Sequence, residues 1–264
     1  MRSFTLDAKK TLKGKFKPST AAERAFYRQL KKVAQASGHI VDRYSEPGAK
    51  LSDEKAMQRE LARYAEKLGP WAVRQSTKLL EQVQKSNKRA YVNKSKAIGA
   101  ALEFGAVERD VRETARVLLN EQVGLIKSIP LEAGLRAQKI ALEAAVRGTR
   151  AEANEDTIRE LEDQLGMSTE VATNRALLIS RTETARATAA INQSRAQAVG
   201  SNQYRWHNSG DEVVRHSHKF YKGARLQGRI FSWDNPPTLE DGMTGHPGTF
   251  PNCRCFAEPV FANE

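Results

Sequence analysis

From Ser19 to Val199 apolar residues return every three or four positions, and beyond Gly200 that spacing stops. A chain patterned this way must bury the apolar stripes of long helices, and only about 65 residues remain for any other structure. Ser19-Thr20 followed by Glu23 predicts a helix start, with Phe26, Leu30 and Val33 on its inner face and Gly38 and Glu46-Pro47-Gly48 ending it. Ser52 with Asp53 and Glu54 starts a second helix, through Leu61, Tyr64 and Leu68 to a break at Gly69-Pro70. A third begins near Trp71. Val73, Leu79, Leu80 and Val83 are its expected buried positions, and Arg74, Lys78, Lys85, Lys88 and Arg89 its exposed side, continuing to Lys94 and Lys96. The pattern stays helical to Leu165: Val107, Val111, Leu118 and Ile126 lead to a break at Pro130, and Leu135, Leu142 and Val146 resume it. Gly148-Thr149 and Gly166 are further punctuation, and Ser168 is read as the cap of a last long helix that Gly200 stops.

Beyond Gly200, strand-like runs at residues 203–207, 229–233 and 255–261 alternate with Gly, Pro, Asn and Asp clusters. The expected fold is therefore mainly α with a small C-terminal α+β module of short antiparallel strands. Residues 1–50 read as a basic arm with a short helix, 51–166 as a helical region, and 167–264 as the module (helix 168–199 plus strands). Lys9, Lys10, Lys13, Lys15 and Lys17 before Pro18 make residues 1–19 look like a flexible arm. A module this small has a marginal core unless it packs on the helices or gains a metal.

Charge is unevenly placed. The net charge is +12, yet residues 1–50 carry 12 basic and 4 acidic side chains, residues 51–100 carry 11 and 5, and the rest is near balance. A basic segment of this kind suits a polyanion or an acidic protein surface, and Arg74, Lys78, Lys85, Lys88 and Arg89 are the candidate nucleic-acid contacts. The bland alternative is a solvated lysine-rich face. No apolar run reaches the roughly 20 residues that span a bilayer, and the N-terminus lacks a secretory signal, so no membrane contact is expected.

Two constellations remain. Arg181, Thr188, Asn192 and Arg195 share one face of the last helix, with Ala185 and Ala189 between them. Such a polar stripe suits hydrogen bonds to a neighbouring loop. In the tail, His216, His218 and His246 lie near Cys253 and Cys255. A disulfide between cysteines one residue apart is strained. Two readings stay open: a zinc site made by His218, Cys253, Cys255 and either His246 or His216, or a packed corner with a hydrogen-bonded His218 and two buried thiols beneath Trp206 and Trp233. Catalysis lacks supporting parts, since there is no Gly-rich phosphate loop, no His-Glu-x-x-His and no nucleophile elbow.

Arg181-Thr182-Glu183, then Trp206, Asp211, Val214, Arg215, His218, Gly223 and Asn252-Cys253-Arg254-Cys255 follow one another in an order that resembles the Mu F-like head morphogenesis family of phage minor capsid proteins. The resemblance covers about residues 165–260. Some members carry Cys-x-x-Cys where this chain has Arg215-His216-Ser217-His218, which keeps His218 as a ligand in register and loses the other. The resemblance implies a minor head protein of a tailed phage, not an enzyme. It would enter the virion during assembly in the host cytoplasm and lie in the capsid interior or at the portal vertex. Portal protein, major capsid protein or both are its implied partners, with double-stranded DNA as a further one. The rival readings are a metal-dependent DNA-processing enzyme and a purely structural neck or scaffold component. No cofactor is implied, with zinc the one exception to test.

Overall fold

Ser19 starts the first helix as its position suggests. In a computed structural model that describes residues 16–44, 51–99, 107–148 and 155–261, the Ser19 hydroxyl accepts the Ala22 N–H at 3.3 Å, satisfying a donor that the first turn leaves orphaned. Helix α1 is Thr20–Arg43, α2 Leu51–Lys67, α3 Gly69–Ile98, α4 Val107–Gly148 and α5 Glu155–Ala198. Pro70 falls in the first turn of α3, where its missing N–H costs nothing. Gly200, at φ +80°, closes α5: Ser201 N–H reaches the Ala196 carbonyl at 2.8 Å and Gly200 N–H the Gln197 carbonyl at 3.0 Å. The fold is mainly α with a few short antiparallel strands at the C-terminal end. Among the described residues no helix is long and apolar enough to cross a membrane.

Several expected stops are not stops. Gly38 lies inside α1, and a Cβ there would run into the Thr169 side chain; the glycine permits a close approach rather than ending the helix. Pro130, itself buried, lies inside α4. A proline in a helix interior costs about 3 kcal/mol, and the burial of Ile126, Ile129 and Ala133 around it outweighs that. Helix α5 begins at Glu155 and runs through Gly166 and Ser168, so Ser168 is not its cap. The Glu46-Pro47-Gly48 turn and Thr149 lie outside the described residues.

The register of two helices also differs from expectation. Helix α3 buries Ala72, Ser76, Leu79, Val83, Asn87, Ala90 and Lys94, steps of three and four that leave Val73 exposed and carry Lys94 inward. Helix α4 buries Ile126, Ile129, Ala133, Ala137 and Ile140, so Leu135 and Leu142, expected inside, are 58% and 65% exposed. At the N-terminal end Phe16 is buried and meets Tyr91 edge-on at 5.3 Å. Of the stretch read as a flexible arm, residues 1–15 lie outside the described residues.

Two compact units result. One comprises residues 25–76 and 121–180, the other residues 1–24, 77–120 and 181–264. In the first, Arg175 pairs with Glu132 at 2.6 Å and Lys127 with Glu66 at 2.8 Å, and Leu61 meets the open face of Gly134. The second unit holds the module. Strand β1 (Gln203–His207) lies between β4 (Ile230–Ser232) and β5 (Phe256–Val260), antiparallel to both, with Tyr204 opposite Phe231 and Trp206 opposite Ala257. A one-turn helix, α6 (His216–Lys219), leads into the hairpin β2 (Phe220–Tyr221) and β3 (Ala224–Arg225). Its two-residue turn places Lys222 and Gly223 at φ +48° and +71°, the conformation that matches strand twist and suits Gly. The core of this unit joins Phe16, which precedes α1, and Tyr91 and Ala196 from the helices to Tyr204, Trp206, Leu226, Trp233, Phe250 and Phe256. The helices supply what the small sheet cannot.

Candidate functional site

The loop 250–255 joins the two constellations singled out in the sequence. Asn252 adopts the left-handed conformation, φ +56°, which Asn tolerates better than most residues. Its N–H donates to the Thr182 hydroxyl at 2.9 Å, and its Oδ1 accepts from the Arg181 guanidinium at 2.9 Å. Arg181 Nε also lies 3.5 Å from Glu23. Arg215 donates to the Pro251 carbonyl at 2.7 Å, and Arg254 pairs with Asp211 at 2.7 Å. Glu183 is buried and pairs with Arg186 at 3.0 Å. Arg181 thus ties the loop to α5, while Arg215 and Arg254 tie it to residues 211–215. A second device is Gly248, at φ +91°, where a Cβ would lie 3.0 Å from the Cys255 carbonyl and 3.3 Å from Ala189. The small residues Ala185 and Ala189 make room for that loop.

The loop holds Cys253 and Cys255 against His218, and all three are buried. His218 Nδ1 lies 3.4 Å from Cys253 Sγ and 3.5 Å from Cys255 Sγ. The Cys255 N–H donates to Cys253 Sγ at 3.4 Å. The ring stands edge-on to Trp206 at 5.9 Å and tilts against Phe250 at 5.0 Å, and among the described residues its buried Nε2 has no hydrogen-bond partner. The thiols are inequivalent. Hydrogen bonding from Cys255, then His218, draws Cys253 well below the ordinary thiol range, whereas the same sulfur–sulfur contact and burial push Cys255 up. Beside the cluster is a cleft of about 160 Å³ that His218 and both cysteines line together with Asp211, Arg181, Arg215 and Arg254. Among the described residues the buried Asp211 Oδ1 has no hydrogen-bond partner.

His246 and His216 do not join this cluster. His246 Nδ1 is 3.0 Å from the Tyr204 hydroxyl, and the ring lies edge-on to Tyr204 and against Trp233. His216 is exposed, stacks on Phe220 and faces Glu240 at 3.3 Å. Among the described residues the sequence-derived ligand set therefore closes to three.

Helix α5 continues as a buried polar stripe. Asn192 donates to the Ala257 carbonyl at 2.9 Å and accepts from Asn87 at 3.2 Å; Arg195, wholly buried, donates to Asn87 at 3.0 Å and lies 3.7 Å from Glu108. The stripe bonds a helix and a strand as well as the Asn252 loop. Sequence reasoning missed a second network altogether. Glu258 takes Lys94 at 3.2 Å on one oxygen and His207 Nε2 at 2.8 Å on the other. The Asn208 N–H donates to Gln227 Oε1 at 2.8 Å, which orients that amide so that its Nε2 donates to His207 Nδ1, also at 2.8 Å. His207 therefore carries its proton on Nε2 and gives it to Glu258. Burial acts to raise the Glu258 pKa, but His207 and Lys94 outweigh it and hold it at about 2. No signal in the sequence marks Lys94 as different from its exposed neighbours except its place in the three-four repeat.

The five basic residues proposed for nucleic acid all lie on α3, and all are exposed. Among the described residues Lys88 pairs with an acid, Glu108, at 2.9 Å.

Comparison with known proteins bears on the same region. Residues 137–258, just under half of the chain, match the family described as Phage Mu protein F like protein. A Haemophilus influenzae protein described as uncharacterized is 36% identical over 154 residues, which is 58% of this chain and 31% of that protein. The chain thus spans about a third of that relative's length. No solved structure matches.

Proposed function

We propose that this chain, Mu F-like over residues 137–258, is a minor head protein of a tailed phage that acts by assembly, contacting portal or inner capsid and the packaged genome. The observation that carries this reading is where the motif residues lie. Arg181, Thr182, Asn252, Arg215, Arg254 and Asp211 bind one another or the loop backbone. They are engaged in holding a rigid module, which suits a part that docks better than a part that turns over substrate. The exposed cations of α3 suit a polyanionic lumen, where phosphate neutralisation supplies affinity without sequence preference. The test is co-expression with the portal and major capsid proteins of the same phage, then sedimentation of the particles. The chain should co-sediment with procapsids, and an Asn252→Ala, Arg181→Ala variant should be depleted from them while remaining folded. Particles that assemble normally and never contain the chain would overturn the assignment.

A further inference from the structure

His218, Cys253 and Cys255 bring three soft donor atoms to within 4.8 Å of one another in a buried site beside an open cleft. We propose that they bind one zinc ion through His218 Nδ1 and the two sulfurs, with solvent in the fourth position on the cleft side. The edges of the cluster are the first support. Tetrahedral zinc with bonds of about 2.3 Å to sulfur and 2.0–2.1 Å to nitrogen separates an S and an N ligand by about 3.6 Å; the two separations here are 3.4 and 3.5 Å. Both sulfurs approach the same nitrogen. One imidazole nitrogen carries a single proton or a single lone pair, so it makes one good hydrogen bond; a metal satisfies all three atoms at once. Cys253 Sγ receives the Cys255 N–H at 3.4 Å, the kind of outer contact that orients and stabilises a ligand.

The open fourth position follows from what the fold withholds. His246 and His216 are held elsewhere, and no other His, Cys, Asp or Glu among the described residues joins the group. The cleft that His218 and both cysteines line offers room for that solvent. Asp211 lines the same cleft and pairs through Oδ2 with Arg254. Thiolate and imidazole together select zinc over the hard cations, and three protein ligands with one open position is a known zinc arrangement.

The test uses the full chain and cobalt(II) as a probe. Purified protein should hold about one zinc per chain. Cobalt exchanged into the site should give a thiolate-to-cobalt charge-transfer band and the visible bands of a tetrahedral ion. Azide should shift those visible bands by taking the fourth position. Folded wild-type protein that retains no zinc and shows no thiolate–cobalt band overturns the site, with no variant needed. A band indifferent to azide overturns the open position. Asp211→Asn should keep the metal; its loss would make Asp211 a ligand and overturn solvent as the fourth. Cys253→Ser and Cys255→Ser should each abolish the charge-transfer pattern, and retention of stoichiometric zinc in the folded double variant would place the metal elsewhere and overturn the assignment.

Discussion

The backbone N–H of Asn252 donates to the Thr182 hydroxyl at 2.9 Å, across 70 residues of sequence. With the Asn252 side chain on Arg181, this makes one residue the clamp between helix α5 and the loop that carries both cysteines. Asn252→Ala should cost about 1–3 kcal/mol, from a lost charge-assisted bond and from a left-handed backbone that Ala adopts poorly. Asn252→Gly should recover the backbone part alone. Denaturant unfolding measures both, and limited proteolysis near Gly200 should quicken in the order Gly, then Ala. Equal stability of all three proteins would show that the clamp contributes nothing.

Lys94 and Glu258 form a buried pair at 3.2 Å. Glu258→Gln removes the carboxylate that faces the buried Lys94 ammonium, and should destabilise by roughly 3–5 kcal/mol. The double variant Lys94→Met, Glu258→Gln should lie close to wild type. A double-mutant cycle in urea distinguishes this from independent effects.

The same carboxylate sets an acid limit. Its folded pKa of about 2 lies below the ordinary value of 4.5, so its contribution is complete above about pH 4.5 and disappears as pH falls towards 2. The difference is worth on the order of 3 kcal/mol. Melting temperature against pH should therefore fall more steeply in this window for wild type than for the Lys94→Met, Glu258→Gln protein. Parallel curves would remove Glu258 from the account.

Gly223 and Gly248 both have positive φ, but only Gly248 is crowded. Gly223→Ala should cost about 1–2 kcal/mol for the backbone alone. Gly248→Ala adds contacts with the Cys255 carbonyl and Ala189 and should cost about 2–4 kcal/mol. Chemical denaturation of the two variants gives the ordering, and a reversed order would mean that the loop does not seat on α5.

On α3, replacing Arg74, Lys78, Lys85 and Arg89 by Gln should weaken duplex DNA binding uniformly across sequences. If each neutralises one phosphate, the wild-type salt slope is about −3 to −4 and the variant's is near zero. Lys88→Gln should have the smallest effect of any single change, because Glu108 already holds that charge. Fluorescence anisotropy over a salt series reports all of this; an unchanged slope in the fourfold variant would assign the charge to an acidic protein instead.

The sequence by itself determined the mainly helical class, the Ser19 cap, the stops at Gly69-Pro70 and Gly200, and the three strands β1, β4 and β5 of the larger sheet, though not the β2–β3 hairpin. Each depends on chemistry within a few residues: a hydroxyl that caps, a proline without an N–H, a glycine at positive φ, a change of period from 3.6 to 2. Helix register and interruption were decided by tertiary structure. Pro130 and Gly38 stay helical because burial and close approach outweigh local penalties of a few kcal/mol at most, and Lys94 turns inward because Glu258 awaits it from a strand far along the chain. The metal-ligand candidates divide in the same way. Cys-x-Cys placed two sulfurs together by covalent spacing, but whether His218, His216 or His246 faced them depended on which loop packs where, and no local rule encodes that. Tyr204 and Trp233 hold His246, the exposed face of α6 carries His216, and His218 alone reaches the sulfurs.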